Sequence, residues 1–143
     1  MKDVLNPQWG QRESQNPVNT HPLFRWLRKF QEYKSTQGKG TGRIRSGKMM
    51  GFIACPLHLA YALYLIAHHD QIPKRLLQRL RDPQTFLPAY YETLAGAAFA
   101  VAGFEIRCEE TKKSANPTPE FTVTSKSTRK SYSVEAKRKD GWT

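Results

Sequence analysis

Acidic residues are scarce in this chain: 143 residues carry 12 Asp and Glu against 23 Lys and Arg, a formal net charge of +11. An imbalance of that size favours polyanion partners, meaning nucleic acid or an anionic membrane surface. Cysteine is scarcer still. Cys55 and Cys108 form no CxxC pair and no zinc spacing with histidine, which excludes a disulfide-built scaffold and a zinc finger and leaves two unpaired thiols suited to a reducing, cytoplasmic setting. The opening MKDVLNPQWGQRES holds no apolar core of the kind a secretory leader needs. Long charge-free runs are also few. Residues 51–67 (GFIACPLHLAYALYLIA) are uncharged, but seventeen residues is the lower edge of a membrane span, and Pro56 and His58 lie inside it. A buried core helix beginning at Pro56 is the expected structure, with a membrane segment as the alternative.

The positive charge is concentrated at one end. Residues 1–50 hold ten Lys and Arg against three acids, whereas residues 84–143 hold nine against seven. Residues 1–21 are polar and rich in Asn, Gln and Pro, the composition of a flexible arm. In residues 22–33 the apolar positions Leu23, Phe24, Leu27, Phe30 and Tyr33 fall at helical spacing, with Arg25, Arg28 and Lys29 elsewhere on the turn. Residues 34–48 (KSTQGKGTGRIRSGK) form a Gly-rich basic loop. Its Gly42, Gly47 and Lys48 have the spacing of half a phosphate-binding loop, but Met49 stands where such a loop needs Ser or Thr for magnesium, and no apolar strand precedes it. Arg25, Lys39, Arg43, Arg45 and Lys48 are therefore candidate contacts to a phosphate backbone rather than to a nucleotide. His68 and His69 close the apolar run, where they complement a helix C-terminus better than they bind metal. Residues 73–81 (PKRLLQRLR) read as a short basic amphipathic helix.

From Phe86 an apolar stripe runs through Leu87, Tyr90, Leu94, Ala97, Ala98 and Val101, and the opposite face is small and apolar, so this helix is expected to be buried. Asp82 is an expected N-cap, and Pro88 an alternative marker of the helix start. Glu92 is the only charged residue between Pro83 and Phe104. A carboxylate there costs several kcal/mol, on the order set by burying a charge, unless paired or bound. It either reaches water or an arginine, or points into a site. Gly103 is the expected C-cap. Three strands should follow: residues 104–109, residues 119–124, and, after the polar turn SKSTRK, residues 131–138 pairing antiparallel with their predecessor. Alternation puts Glu135 and Lys137 on one face of the last strand, and Glu120 near the start of its neighbour. The bland alternative is that Glu135 and Lys137 are a solvated face of an edge strand.

Pro119-Glu120, fourteen intervening residues and Glu135-Ala136-Lys137, preceded by a helix with a lone Glu, a glycine and a strand, resemble the PD-(D/E)xK, restriction-endonuclease-like nuclease superfamily over residues 84–139. The resemblance implies an α+β fold, with a basic arm (1–50), a helical segment (51–83) and a nuclease-like helix–β–β–β core (84–143). It implies a magnesium- or manganese-dependent endonuclease, a hydrolase of phosphodiesters and more of DNA than RNA. Glu120, Glu135 and the carbonyl at Ala136 would ligate the metal, Lys137 would stabilise the nucleophile and transition state, and Glu92 matches the helix glutamate that some members use. The first acid here is Glu rather than the commoner Asp. The superfamily core also continues with a further helix and strand, and six residues follow Lys137; a longer chain, a homodimer partner or the N-terminal helices are the expected sources. A catalytically silent domain that binds nucleic acid only through the basic arm is the alternative function.

Overall fold

The computed structural model describes residues 5–15, 18, 21–36, 47–108 and 120–137. Within them the chain is α+β, with five helices followed by a three-stranded antiparallel sheet. Helix α1 (Pro7–Gln15) begins within the stretch expected to be a flexible arm. Asn6 caps it, its Oδ1 accepting the Gln8 and Trp9 amides while its own φ is +65°, a conformation Asn tolerates. Pro7, at the first helical position, has no amide to leave unsatisfied. Helix α2 (Pro22–Thr36) follows. Its inward side is Leu23, Trp26 and Leu27, so the stripe read from the sequence is rotated and widened by the tryptophan.

Helix α3 (Gly51–His69) starts five residues before the expected Pro56. Pro56 lies inside the helix and is buried; its ring costs one backbone hydrogen bond near the N-terminus, where few bonds depend on it. By length and composition α3 alone among the described helices could cross a membrane. In this fold it packs against α2, α5 and the first strand. Leu59, Ala62, Leu63 and Ile66 make its buried stripe. At its end His68 Nδ1 lies 3.0 Å from the Tyr64 carbonyl, one turn back. Helix α4 (Lys74–Arg81) runs as expected, burying Leu76 and Leu80.

Helix α5 (Phe86–Val101) connects the two parts of the core. Phe86, Ala89 and Tyr90 join a cluster with Leu23, Leu59, Leu63, Leu76 and Leu80. One and a half turns later Ala95, Phe99 and Ala100 meet the sheet residues Ile106, Phe121 and Val123. Gly96 allows the closest approach: a methyl there would sit 3.3 Å from Ile66 Cδ1 and 3.9 Å from the Phe121 ring. The helix starts at Phe86, between the two positions the sequence offered. Asp82 Oδ1 accepts the Gln84 amide ahead of it. Gly103, with φ +83°, turns the chain out of the helix as expected of a residue just past the C-cap.

The sheet has the order β1 (Phe104–Cys108), β2 (Phe121–Ser125), β3 (Ser131–Val134). Phe121 lies opposite both Cys108 and Val134, and Val123 opposite Ile106 and Tyr132, so one face is apolar and covered by α5. The other face carries Glu105, Arg107, Thr122, Thr124, Ser131 and Ser133. β3 ends at Val134, short of the Glu135 and Lys137 that the sequence placed within it. Among the described residues β2 begins only at Phe121, opposite Val134, so the described ladder stops there.

Candidate active site

Glu120 is the residue on which the site is built. Its amide donates to the Val134 carbonyl at 3.2 Å, the last backbone bond between the two chain segments among the described residues. Its carboxylate then takes over the ladder's role: Oε2 accepts the Ala136 amide at 2.7 Å. That one bond fixes the segment after β3, so that Glu120, Glu135, Ala136 and Lys137 line a single cleft of about 490 Å³. Pro83, Gln84, Leu87 and Pro88, from the start of α5, form its other wall. Four positions picked out from the sequence are thus brought together, although three of them, Glu135, Ala136 and Lys137, lie beyond β3 in the segment the Glu120 side chain tethers.

Glu135 and Lys137 lie side by side on one wall, with Lys137 Nζ 3.3 Å from Glu135 Oε1. Both side chains are well exposed, 59% for Glu135 and 78% for Lys137. An ion pair so solvated holds its members loosely and yields readily to a stronger partner.

Glu92 does not line that cleft; it is 7% exposed on α5, between the helix residues that join the two core clusters. Its Oε2 accepts a hydrogen bond from Arg79 at 2.5 Å. Burial pushes the Glu92 carboxyl up from its ordinary value, Arg79 pulls it back, and the negative charge of Glu120 pushes it up again. The two glutamates therefore sit within each other's field, with the Arg79 guanidinium beside one of them. Of the two roles the sequence left open for Glu92, the geometry supplies the arginine partner. Arg79 is the residue that sequence reading missed. Its signal was available: Arg75 and Arg79 are one turn apart on α4, on the side that also influences Glu92.

The basic positions are spread more widely. Arg25 lines a separate groove between α1 and α2, together with Glu13, Ser14 and Arg28. Lys48 is exposed just before α3. Lys39, Arg43 and Arg45 lie outside the described residues. No family model matches the chain, and no curated protein and no solved structure matches it.

The donor set suits a hard divalent cation. Magnesium takes oxygen ligands and keeps several of its waters, so one or two carboxylates in a roomy cleft suffice. Among the described residues no three His, Cys, Asp or Glu side chains converge as a ready-made cage. The oxygens available are Glu120, Glu135 and the Ala136 carbonyl, on one wall of a cleft with space for water.

Proposed function

We propose that the chain is a magnesium- or manganese-dependent nuclease that hydrolyses phosphodiesters, DNA more than RNA, with a restriction-endonuclease-like core in residues 84–143. The observation that carries this reading is the tether between Glu120 Oε2 and the Ala136 amide, which gathers the motif's two acids and its lysine around one cleft. Glu120, Glu135 and the Ala136 carbonyl would hold the metal, which when bound lowers the pKa of a coordinated water and offsets charge on the phosphate. Lys137 supplies a cation on the same wall. Its weak hold on Glu135 lets the ammonium move to the developing charge on a phosphate oxygen, where a placed cation does most for the transition state. Arg79 keeps the Glu92 carboxylate oriented and partly neutralised behind Glu120, limiting repulsion among the acids before any cation arrives. The overall positive charge of the chain adds backbone affinity, and two cysteines that form no disulfide suit a cytoplasmic setting.

Replacing Glu135 with Ala tests the site. Cleavage of plasmid in magnesium should fall by about a hundredfold or more, the scale on which removing a principal charge-stabilising group acts. DNA binding in EDTA should be unchanged or tighter, because one negative charge is gone. Undiminished cleavage by Glu135→Ala would reject the assignment. Absence of cutting by the unaltered, folded and DNA-binding protein would favour the silent binding domain instead.

A further inference from the structure

The polar face of the sheet has no role in the cleavage site as described, yet it is built as a surface. Thr122, Thr124, Ser131 and Ser133 present hydroxyls across β2 and β3, and Arg107 and Glu105 stand beside them on β1. A groove of about 550 Å³ lies on this face, bordered by His69 and Asp70 from the end of α3. Asp70 is already engaged, its Oδ2 accepting the Cys108 amide at 2.9 Å and its Oδ1 the Gln71 amide at 2.7 Å.

The groove opens at the β2–β3 hairpin, since Thr124 and Ser131 are the last cross-strand pair before the turn. That turn carries Lys126, Arg129 and Lys130, all exposed. None of the three makes an ion pair with a described residue. The tip is nevertheless well ordered by its own bonds: the Arg129 amide donates to the Ser125 carbonyl at 2.9 Å, and the Ser125 amide to the Lys130 carbonyl at 2.9 Å. Arg129 takes φ +59°, a conformation for which Gly or Asn is the usual choice. Three exposed cations on a short, fixed finger, leading onto a hydroxyl-lined face, are complementary to a strand of alternating phosphates and sugars. A protein partner would be expected to find exposed aromatic or aliphatic anchors; among the described residues that border the groove the aliphatic side chain is Ile106, which is buried.

We infer that the β2–β3 hairpin tip and the outer face of the sheet form a nucleic-acid backbone site, distinct from the N-terminal basic residues, that guides the substrate toward the cleft. From Ser131 to Glu135 is four residues, about 13 Å of extended chain, so a strand held at the tip reaches the acids within a few nucleotides. The inference deepens the nuclease reading, on which it rests for its purpose. It is tested without metal, so its outcome is separate from any result on cleavage.

The test is fluorescence anisotropy in EDTA, using a labelled 20-base-pair duplex and the matching single strand over a range of salt. The first variant combines Lys126→Ser, Arg129→Asn and Lys130→Ser, the Asn chosen because it accepts the positive φ. It should bind at least one probe roughly tenfold or more weakly, and the slope of log affinity on log salt should shrink by about 0.9 for each cation that meets a duplex phosphate, or about 0.7 on the single strand. The second variant, Glu105→Gln, should bind more tightly, because it removes the acid facing the same groove. Which probe responds tells whether the face takes duplex or single strand. Unchanged affinity and slope in the triple variant, with its melting temperature intact, would overturn the inference. So would displacement of DNA by polyglutamate at equal charge concentration, which would mark an acidic protein as the ligand.

Discussion

His21 shows how much one side chain can fix. It is fully buried, with Nε2 3.1 Å from the Leu80 carbonyl and Nδ1 accepting the Leu23 amide at 3.2 Å. Trp9, Phe24 and Phe86 pack their rings around it. Both ring nitrogens are used in the neutral tautomer, and burial holds the imidazole below its ordinary value of 6.5, against the opposing pull of the Leu80 carbonyl. The unfolded chain then takes up the proton more readily than the folded one. The stabilisation is complete above pH 6.5 and is lost as the pH falls from there toward the lowered folded value. Glu92 has the opposite sign: its raised carboxyl gives most stability below 4.5 and loses it as the pH rises. A wild-type melt alone therefore mixes the two. The gap in melting temperature between wild type and His21→Gln, measured by circular dichroism, isolates the histidine; it should be widest at pH 7.5 and narrow steadily below 6.5. Nothing in the sequence marks His21 as core, because a lone histidine between Thr20 and Pro22 gains its meaning only from Leu80, fifty-nine residues away. The proposed catalytic set was more legible. Glu120, Glu135 and Lys137 are recognisable by spacing, whereas the Arg79 partner of Glu92 depends on how α4 lies against α5.

Helix α5 was the most readable element. Its apolar run, its single acid and its terminal glycine all led to the observed structure, since a helix buried on most sides has a pattern that tertiary context does not override. Its packing can be challenged at Gly96. Gly96→Leu would force side-chain atoms into the space held by Ile66 and Phe121 and should cost about 1–3 kcal/mol, read as a fall in urea midpoint with little change in the slope of the transition. A variant as stable as wild type would mean that α5 and the sheet are less closely packed than this. β3 was less readable. Alternation continues through Lys137 in the sequence, but a strand lasts only as long as its partner, and among the described residues β2 starts at Phe121. The N-terminal segment misled for another reason. Its polar composition suggested an arm, while Asn6-Pro7 carried the local cue of a capped helix start, and Leu5 and Trp9 pack into the core.

At the largest scale, the proposed metal site and the hairpin cations lie apart. The cleft oxygens are at the end of β2 and β3 that faces α5, the hairpin cations are at the opposite end, and the polar sheet face lies between them. Such a layout suits a polyanion that must be held along its length and cut at one point. The central claim is that Glu120 is a metal ligand as well as a structural tether, and these two roles can be separated. Glu120→Gln keeps an acceptor oxygen for the Ala136 amide but removes the charge a cation needs. The most direct measurement is plasmid cleavage by wild type and Glu120→Gln, in magnesium and in EDTA, beside their thermal melts. We predict magnesium-dependent cutting by wild type that is lost in the variant, with melting temperatures within a few degrees of each other. Cutting by Glu120→Gln at the wild-type rate, or wild-type cutting that persists in EDTA, would contradict it.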